Sequence, residues 1–529
     1  MRLNTLFTLA TTVLAVIGAA HAETGLLGEI EFPNSGSEEA QPDFIRGMLY
    51  MHNFEYDEAS AAFKSAREID PDFALAYWGE AMTYHHSLWN RQTKSAARDI
   101  LRKLGRTSEE RAAKAPTQRE KDLLRAAETL FAMTEETKQL PKEQCDVAYR
   151  DVMRGLHTKY PEDNEITALY GLSMLCVASK NREYGSYIRA AAVITQVWDD
   201  NRRHPGAAHY LIHSYDDPVH APLGLPMARA YSEIAPAAAH AQHMTSHIFS
   251  ALGMWDDLVL ANERAVDIEY DAENSDAELT MTAGHYVYWL HYGYLQQGRV
   301  EEATELLTMA RGLLDHDPTS RERAYYAGMF ARQLFDTQDP AVVEQWLVPE
   351  GMDVPSPHYH FARAFAAIQA GDAETATHCR DRVQVSGSGN PEVYLDEDIV
   401  GVLRKELDAL AALEAGDGDT AVALAEEAVQ LNAALPFRYG PPQIAKPSGE
   451  LLGDIFTRLD RHEEAATAYR AQLELMPRRT QSLLGLARAA QASGDTATAT
   501  QAYQDLATIW HGADGGMTGA KEARANTTD

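Results

Sequence analysis

Cysteine is scarce, with Cys145, Cys176 and Cys379 the only three in 529 residues. No C-x-x-C-H is present, which excludes covalently attached c-type haem, and no C-x-x-C, which excludes the common zinc ribbon. Nor is there an H-E-x-x-H, a G-x-S-x-G or a P-loop, so the familiar hydrolase and phosphoryl-transfer signatures are missing. Basic side chains are in deficit: 47 Lys and Arg against 78 Asp and Glu give a net charge of -31. A field of that sign repels phosphate backbones and anionic lipid, so neither nucleic acid nor a membrane surface is an expected partner. Past the N-terminus no apolar run is long enough to cross a bilayer, so membrane insertion is not expected.

The N-terminus itself is patterned for export. Arg2 supplies a positive start, Leu6 to Ile17 an apolar stretch, and Ala20-His21-Ala22 an A-x-A cleavage site. Residues 1–22 therefore read as a signal peptide cleaved after Ala22, which predicts a periplasmic or secreted mature protein. An oxidising compartment permits a Cys145–Cys176 disulfide, with buried thiols as the alternative.

A polar segment, 23–39, precedes a repeating pattern. Gly47, Tyr50, Tyr56, Ala59, Phe63, Ala66 and Pro71 fall at positions 8, 11, 17, 20, 24, 27 and 32 of a 34-residue unit begun at Ala40. Small residues at 8, 20 and 27 let two antiparallel helices approach, aromatics at 11 and 24 fill the gaps, and proline ends the second helix. That is the tetratricopeptide pattern. It recurs from Lys446 (Gly453, Phe456, Ala465, Tyr469, Pro477) and from Thr480 (Ala487, Gly494, Ala499, Tyr503), with weaker copies between. Strand-like alternation is nearly absent, so the predicted fold is all-α, a TPR-like helical-hairpin solenoid (superhelix) with irregular loop insertions.

The expected organisation is an N-terminal TPR-like region 40–190, histidine-rich central hairpins 191–270, further repeats 271–435, a loop and C-terminal pair 436–511, and a disordered tail 512–529. Thr117 with Glu120 reads as a capping box opening a helix through 122–133. The loops 347–358 and 386–392 interrupt the array. The stretch 436-PFRYGPPQIAKPSGE-450 is rich in proline and glycine yet carries aromatic and charged side chains, which predicts a segment folded back on a surface.

The most distinctive stretch is 204-HPGAAHYLIHSYDDPVHAPLGLPMARAYSEIAPAAAHAQHMTSHIF-249, with seven of the chain's 20 histidines. Pro205 and Pro236 suit position 32, the end of a second helix. Counting from Ala208 and from Ala239 puts His209 and His213 at 2 and 6, and His240, His243 and His247 at 2, 5 and 9. Helical spacing of three and four sets each group on one face, and positions such as 2, 5 and 9 face the concave groove of such arrays. The expectation is an imidazole-lined groove. His85 and His86, at 12 and 13 of a second unit, Trp89, and His285 at 2 of a later one join that surface. Neutral imidazole suits copper or zinc, and a site needs three or four convergent donors. His209, His213, His240, His243 and His247 are the candidate ligands, Asp216, Asp217 and Glu263 the candidate carboxylate support. Asn262, at a position that normally takes a bulky apolar residue, is a candidate brace for the histidine helix. The predicted function is a transition-metal site in a metalloenzyme or metal-handling protein. The alternative is a scaffold whose groove grips an extended peptide or partner protein without metal.

The stretches 75-LAYWGEAMTYHHSLW-89, 204-HPGAAHYLIHSYDDP-218, 235-APAAAHAQHMTSHIF-249 and 437-FRYGPPQIAKPSGELLGD-454 resemble a family of exported bacterial tetratricopeptide proteins of largely unassigned activity. Family members often read H-M-P-S-H where this chain has His243-Met244-Thr245-Ser246-His247. The resemblance implies the repeat fold and no established substrate.

Overall fold

The computed structural model describes residues 25–178, 183–272, 284–316, 318–349, 352, 354–385, 395–438 and 440–527. The leader at 1–22 and the loop at 386–392 lie outside them. Among the described residues there are 26 helices and one two-stranded antiparallel ribbon, so the chain is all-α in the tetratricopeptide manner. It divides into two compact units, residues 1–216 with 220–248, and 217–219 with 249–529.

In the first unit, helices Gln41–His52, Tyr56–Ile69 and Ala74–Met82 pack in succession. The ribbon His85–His86 with Arg91–Gln92 follows, then Lys94–Leu104, Ser108–Lys114, Gln118–Leu130, Lys142–Lys159, Asn164–Ala178, Tyr184–Asp200, Pro205–Tyr215, Ala221–Ile234 and the first part of Ala239–Leu252. Helix Pro205–Tyr215 also packs on Gln41–His52, which closes the unit on residues far apart in the chain. Thr117 and Glu120 form the expected reciprocal cap. Their helix stops at Leu130, short of 133, and Ala132 adopts a positive φ of 55°.

The packing code of the repeat is physical and recurs in both units. A Cβ on Gly47 would lie 2.8 Å from the Phe63 ring, and one on Gly79 2.5 Å from the same ring. In the second unit, Cβ atoms on Gly453 and Gly485 would lie 2.6 and 2.3 Å from Tyr469. An aromatic at position 24 thus sits between glycines of the helices before and after it, and neither glycine tolerates a side chain.

In the second unit residues 440–450 lie against the helices of that unit. The carbonyls of Pro442 and Gln443 accept from Arg332 and His358, and Ala445 and Lys446 are buried. Lys446 joins Arg479, Glu450 and Asp336 in a buried ionic network. The tail departs from the expected disorder. Thr518–Ala525 is a helix that buries Ala520 and Ala523, and Glu522 accepts from Arg488 and Tyr503. Its glycine-rich approach hides a short amphipathic turn that caps Trp510, which has no exposed surface. Among the described residues no helix is long and apolar enough to cross a membrane.

Candidate metal centre

The two histidine-bearing helices are Pro205–Tyr215 and Ala239–Leu252. Pro205 does not end a helix, as the repeat count placed it, but opens one. It sits at the first helical position with His204 as N-cap, whose Nδ1 accepts from the Ala207 N–H at 3.1 Å. Proline fits there because that N–H has no intrahelical partner. Counted from the true start, His209 and His213 stand fifth and ninth, as His243 and His247 do in their helix.

Both pairs are built alike. His209 Nδ1 donates to the backbone carbonyl of His52 at 2.7 Å, which leaves its Nε2 a lone pair that accepts from His213 Nε2 at 3.1 Å. His247 Nδ1 donates to the Asp216 carboxylate at 2.6 Å, and its Nε2 lies 3.2 Å from His243 Nε2. A hydrogen bond on one ring nitrogen fixes the tautomer and aims the other, as partners of ligating histidines do. His240 completes a group with His209 and His213 in which one donor nitrogen from each lies within 4.8 Å of the others. Nitrogens bound to one tetrahedral ion at ~2.0–2.1 Å stand about 3.3 Å apart, so the 3.1 Å pair is already at ligand spacing.

The expected open groove is not what surrounds these rings. His209 and His243 are 0% exposed and His213, the most accessible of the five, 8%. Burial pushes His209 down to about 3, with only the His52 carbonyl opposing it. The cover comes from elsewhere in the unit. Phe54 packs edge-on to His209 at 4.3 Å, nearly parallel to His240 at 5.7 Å, and 6.1 Å from His213. Its φ is 61°, a left-handed conformation that costs a bulky residue of order 1–3 kcal/mol and marks a place the surroundings impose. Trp89 meets His240 edge-on at 5.7 Å, and His86 stacks on Tyr56 at 4.1 Å. His86 therefore borders the site without joining it. His85 and His86 lie in the ribbon, not on a helix, because Ala74–Met82 ends first.

Among the supporting residues, Asp216 accepts from His247. Glu263 instead binds Tyr294 and Arg299. His285 is half-buried in the second unit against Tyr286 and Trp289. Asn262 is buried in that unit too, its amide donating to the Leu258 carbonyl one turn back.

Sequence reasoning missed the neighbouring triad of His52, Glu165 and His204. Both imidazoles donate Nε2–H to the one carboxylate, at 2.9 and 3.1 Å, while His52 Nδ1 takes the Tyr210 hydroxyl at 2.9 Å and His204 Nδ1 takes Ala207 N–H. The two imidazoles hold Glu165 far below the usual carboxylate range against the opposing pull of burial. Every ring nitrogen is committed, so this triad is a satisfied structural network whose product is a fixed His52 carbonyl beneath His209. No sequence signal links residues 52, 165 and 204. A third group, His85, Asp146 and Cys176, places the thiol 3.8 Å from His85 Nε2. Cys145 and Cys176 form no disulfide: Cys145 instead lies against the Lys94 amine and the Leu140 carbonyl.

No family model matches the chain, and no curated protein matches it. Solved structures with similar folds include the APC/C hetero-tetramer Cut9–Hcn1, at 13% identity and TM-score 0.32, covering 98% of this chain and 83% of that one. Human IFIT1 with PPP-AAAA is similar at 14% identity and TM-score 0.35, covering 93% and 94%. Yeast Tom70 is similar at 14% and 0.28, covering 93% and 95%. At such identities and scores none of these proteins' activities transfers to this chain.

Proposed function

We propose that this chain is an exported helical-repeat protein whose first unit binds a first-row transition metal, copper or zinc. His209, His213 and His240 are the ligands, and His243 and His247 form the adjoining pair. The observation that carries the reading is the tautomer of His209: with Nδ1–H held by the His52 carbonyl, its Nε2 offers a lone pair at ligand spacing from His213. Two rings on one helix and a third on another are rigidly mounted donors of the kind such ions need. Three imidazoles leave a fourth position, which water or substrate takes in a metalloenzyme and a further imidazole takes in a metal-handling protein. Export rests on the leader pattern at residues 1–22.

Metal analysis tests the reading. Protein purified without a histidine tag, loaded with zinc or copper and dialysed, is expected to retain about one ion per chain, and the His209→Ala, His213→Ala double variant to retain almost none. Folded wild-type protein that keeps no metal after loading overturns it. A scaffold holding an extended peptide is then the reading that stands.

A further inference from the structure

We propose that the second unit contains a buried site for a small oxyanion, a carboxylate or phosphate group, centred on the guanidinium of Arg332. This residue lies on helix Ser320–Thr337 and is 1% exposed. A guanidinium carries five N–H donors and stays charged at any accessible pH. Two are used: Nη2 donates to the Tyr288 hydroxyl and to the Pro442 carbonyl, the latter at 3.2 Å. Among the described residues the Nε–H and both hydrogens on Nη1 find no partner, and neither nitrogen reaches solvent.

Its charge is as exceptional as its hydrogen bonding. The other two arginines fully buried among the described residues have carboxylates: Arg111 has Glu128 at 2.7 Å, and Arg479 has Asp336 at 2.6 Å and Glu450 at 2.8 Å. Among the described residues Arg332 has none within ion-pair distance. Asp336, one turn along the same helix, is turned to Arg479. The face of Tyr288, whose ring centre is 4.0 Å from the guanidinium carbon, returns part of the lost hydration. A ring face cannot accept three N–H bonds, and a buried unpaired charge is strongly disfavoured. Natural interiors resolve such a group with ordered water, an ion or a ligand, and of these only an anion also answers the charge.

The surroundings suit an anion with a donor of its own. His291 and His358 lie near enough to feel the Arg332 charge, and burial pushes them down to about 3 and about 4, so both are neutral. Each donates Nε2–H, to Gln333 Oε1 and to the Gln443 carbonyl, and each keeps a buried accepting Nδ1 that has no partner among the described residues. The stretch 436–450 supplies the Pro442 and Gln443 carbonyls. Nothing in this site depends on the histidine cluster of the first unit.

Calorimetric titration and thermal unfolding of the whole chain test it, with sodium phosphate, acetate and succinate as probes and sodium chloride of equal ionic strength as control. At least one oxyanion is expected to bind once per chain and raise the unfolding midpoint. Arg332→Gln should weaken that binding roughly ten- to hundred-fold, the worth of one charge-assisted hydrogen bond. A response to phosphate alone assigns a phosphate ligand, and one to the carboxylates alone an organic acid. Should Arg332→Gln fail to fold, Arg332→Lys keeps the charge, loses the planar fork and is expected to show the same weakening. No response to any oxyanion in the wild type, or equal binding by a folded Arg332 variant, overturns the proposal.

Discussion

Replacing Gly206 by alanine should destabilise the first unit, although it exchanges a poor helix former for the best one. Elsewhere in a helix that exchange gains up to about 1 kcal/mol. At Gly206 the new Cβ would stand 2.4 Å from His52 Nδ1, 2.9 Å from His52 Cγ and 3.1 Å from His204 Cε1. Neither ring can yield, because His52 is held by Tyr210 on one side and Glu165 on the other, and His204 by Glu165 and Ala207. Overpacking costs about 1–3 kcal/mol, and losing one hydrogen bond to the buried carboxylate about 1.5–3 kcal/mol. Set against the propensity gain, the net loss is about 1.5–5 kcal/mol. Gly155 is the control: it lies in helix Lys142–Lys159 with nothing within 4 Å of its added Cβ, so Gly155→Ala should stabilise slightly. Urea unfolding reads both: the first variant's midpoint falls and the second's rises. Because the His52 carbonyl orients His209, zinc competition should also show affinity falling roughly ten- to hundred-fold in Gly206→Ala. A Gly206→Ala protein that unfolds at or above the wild-type urea concentration would show that the triad is not rigid, and the reasoning from it fails.

Two further outcomes concern the second unit. Burial pushes Glu406 up to about 8, despite the Ser448 hydroxyl and the Lys446 amine. The folded state thus keeps a proton that the unfolded chain releases near pH 4.3, so this residue's contribution is full below that pH and declines up to about pH 8, by at most about 1.4 kcal/mol per unit. The stability of Glu406→Gln relative to wild type should therefore climb between pH 5 and 8 in chemical denaturation, and parallel profiles would contradict the assignment. Ending the chain at His511 removes the helix Thr518–Ala525 and uncovers Trp510, whose indole N–H donates to the Gln296 carbonyl at 2.9 Å. A red-shifted tryptophan emission and a lower unfolding midpoint are expected. Unchanged spectra would mean that the tail does not pack.

The hairpins were legible because their code is local. Glycine at position 8 and an aromatic at 24 are two faces of one contact, and a 34-residue count recovers it at Gly47 and Phe63 as well as at Gly453 and Tyr469. The paired imidazoles were legible for the same reason, since four residues on a helix fix their separation without help from the fold, and Asp216 lies close enough in chain to be suspected. What counting could not supply is the cover. A register begun at Ala208 instead of Pro205 misnumbered His209 and His213. Even the right register says only which way a ring points, not what it meets. Phe54 and Trp89, more than a hundred residues upstream, turn a groove into an interior. Nor could it supply the base of the site, since His52 and Glu165 are unremarkable singles until helix Pro205–Tyr215 packs on Gln41–His52. The error and the omission are linked. An imidazole on an open groove would exchange tautomers with water, whereas one sealed under Phe54 and tied to the His52 carbonyl has its Nε2 lone pair fixed in direction. Burial, which the sequence reading had wrong, is what converts a helical spacing into an oriented donor. Arg332 obeys the same logic in reverse, for a guanidinium becomes a candidate site only when the fold takes it out of water and, among the described residues, brings no carboxylate within ion-pair distance.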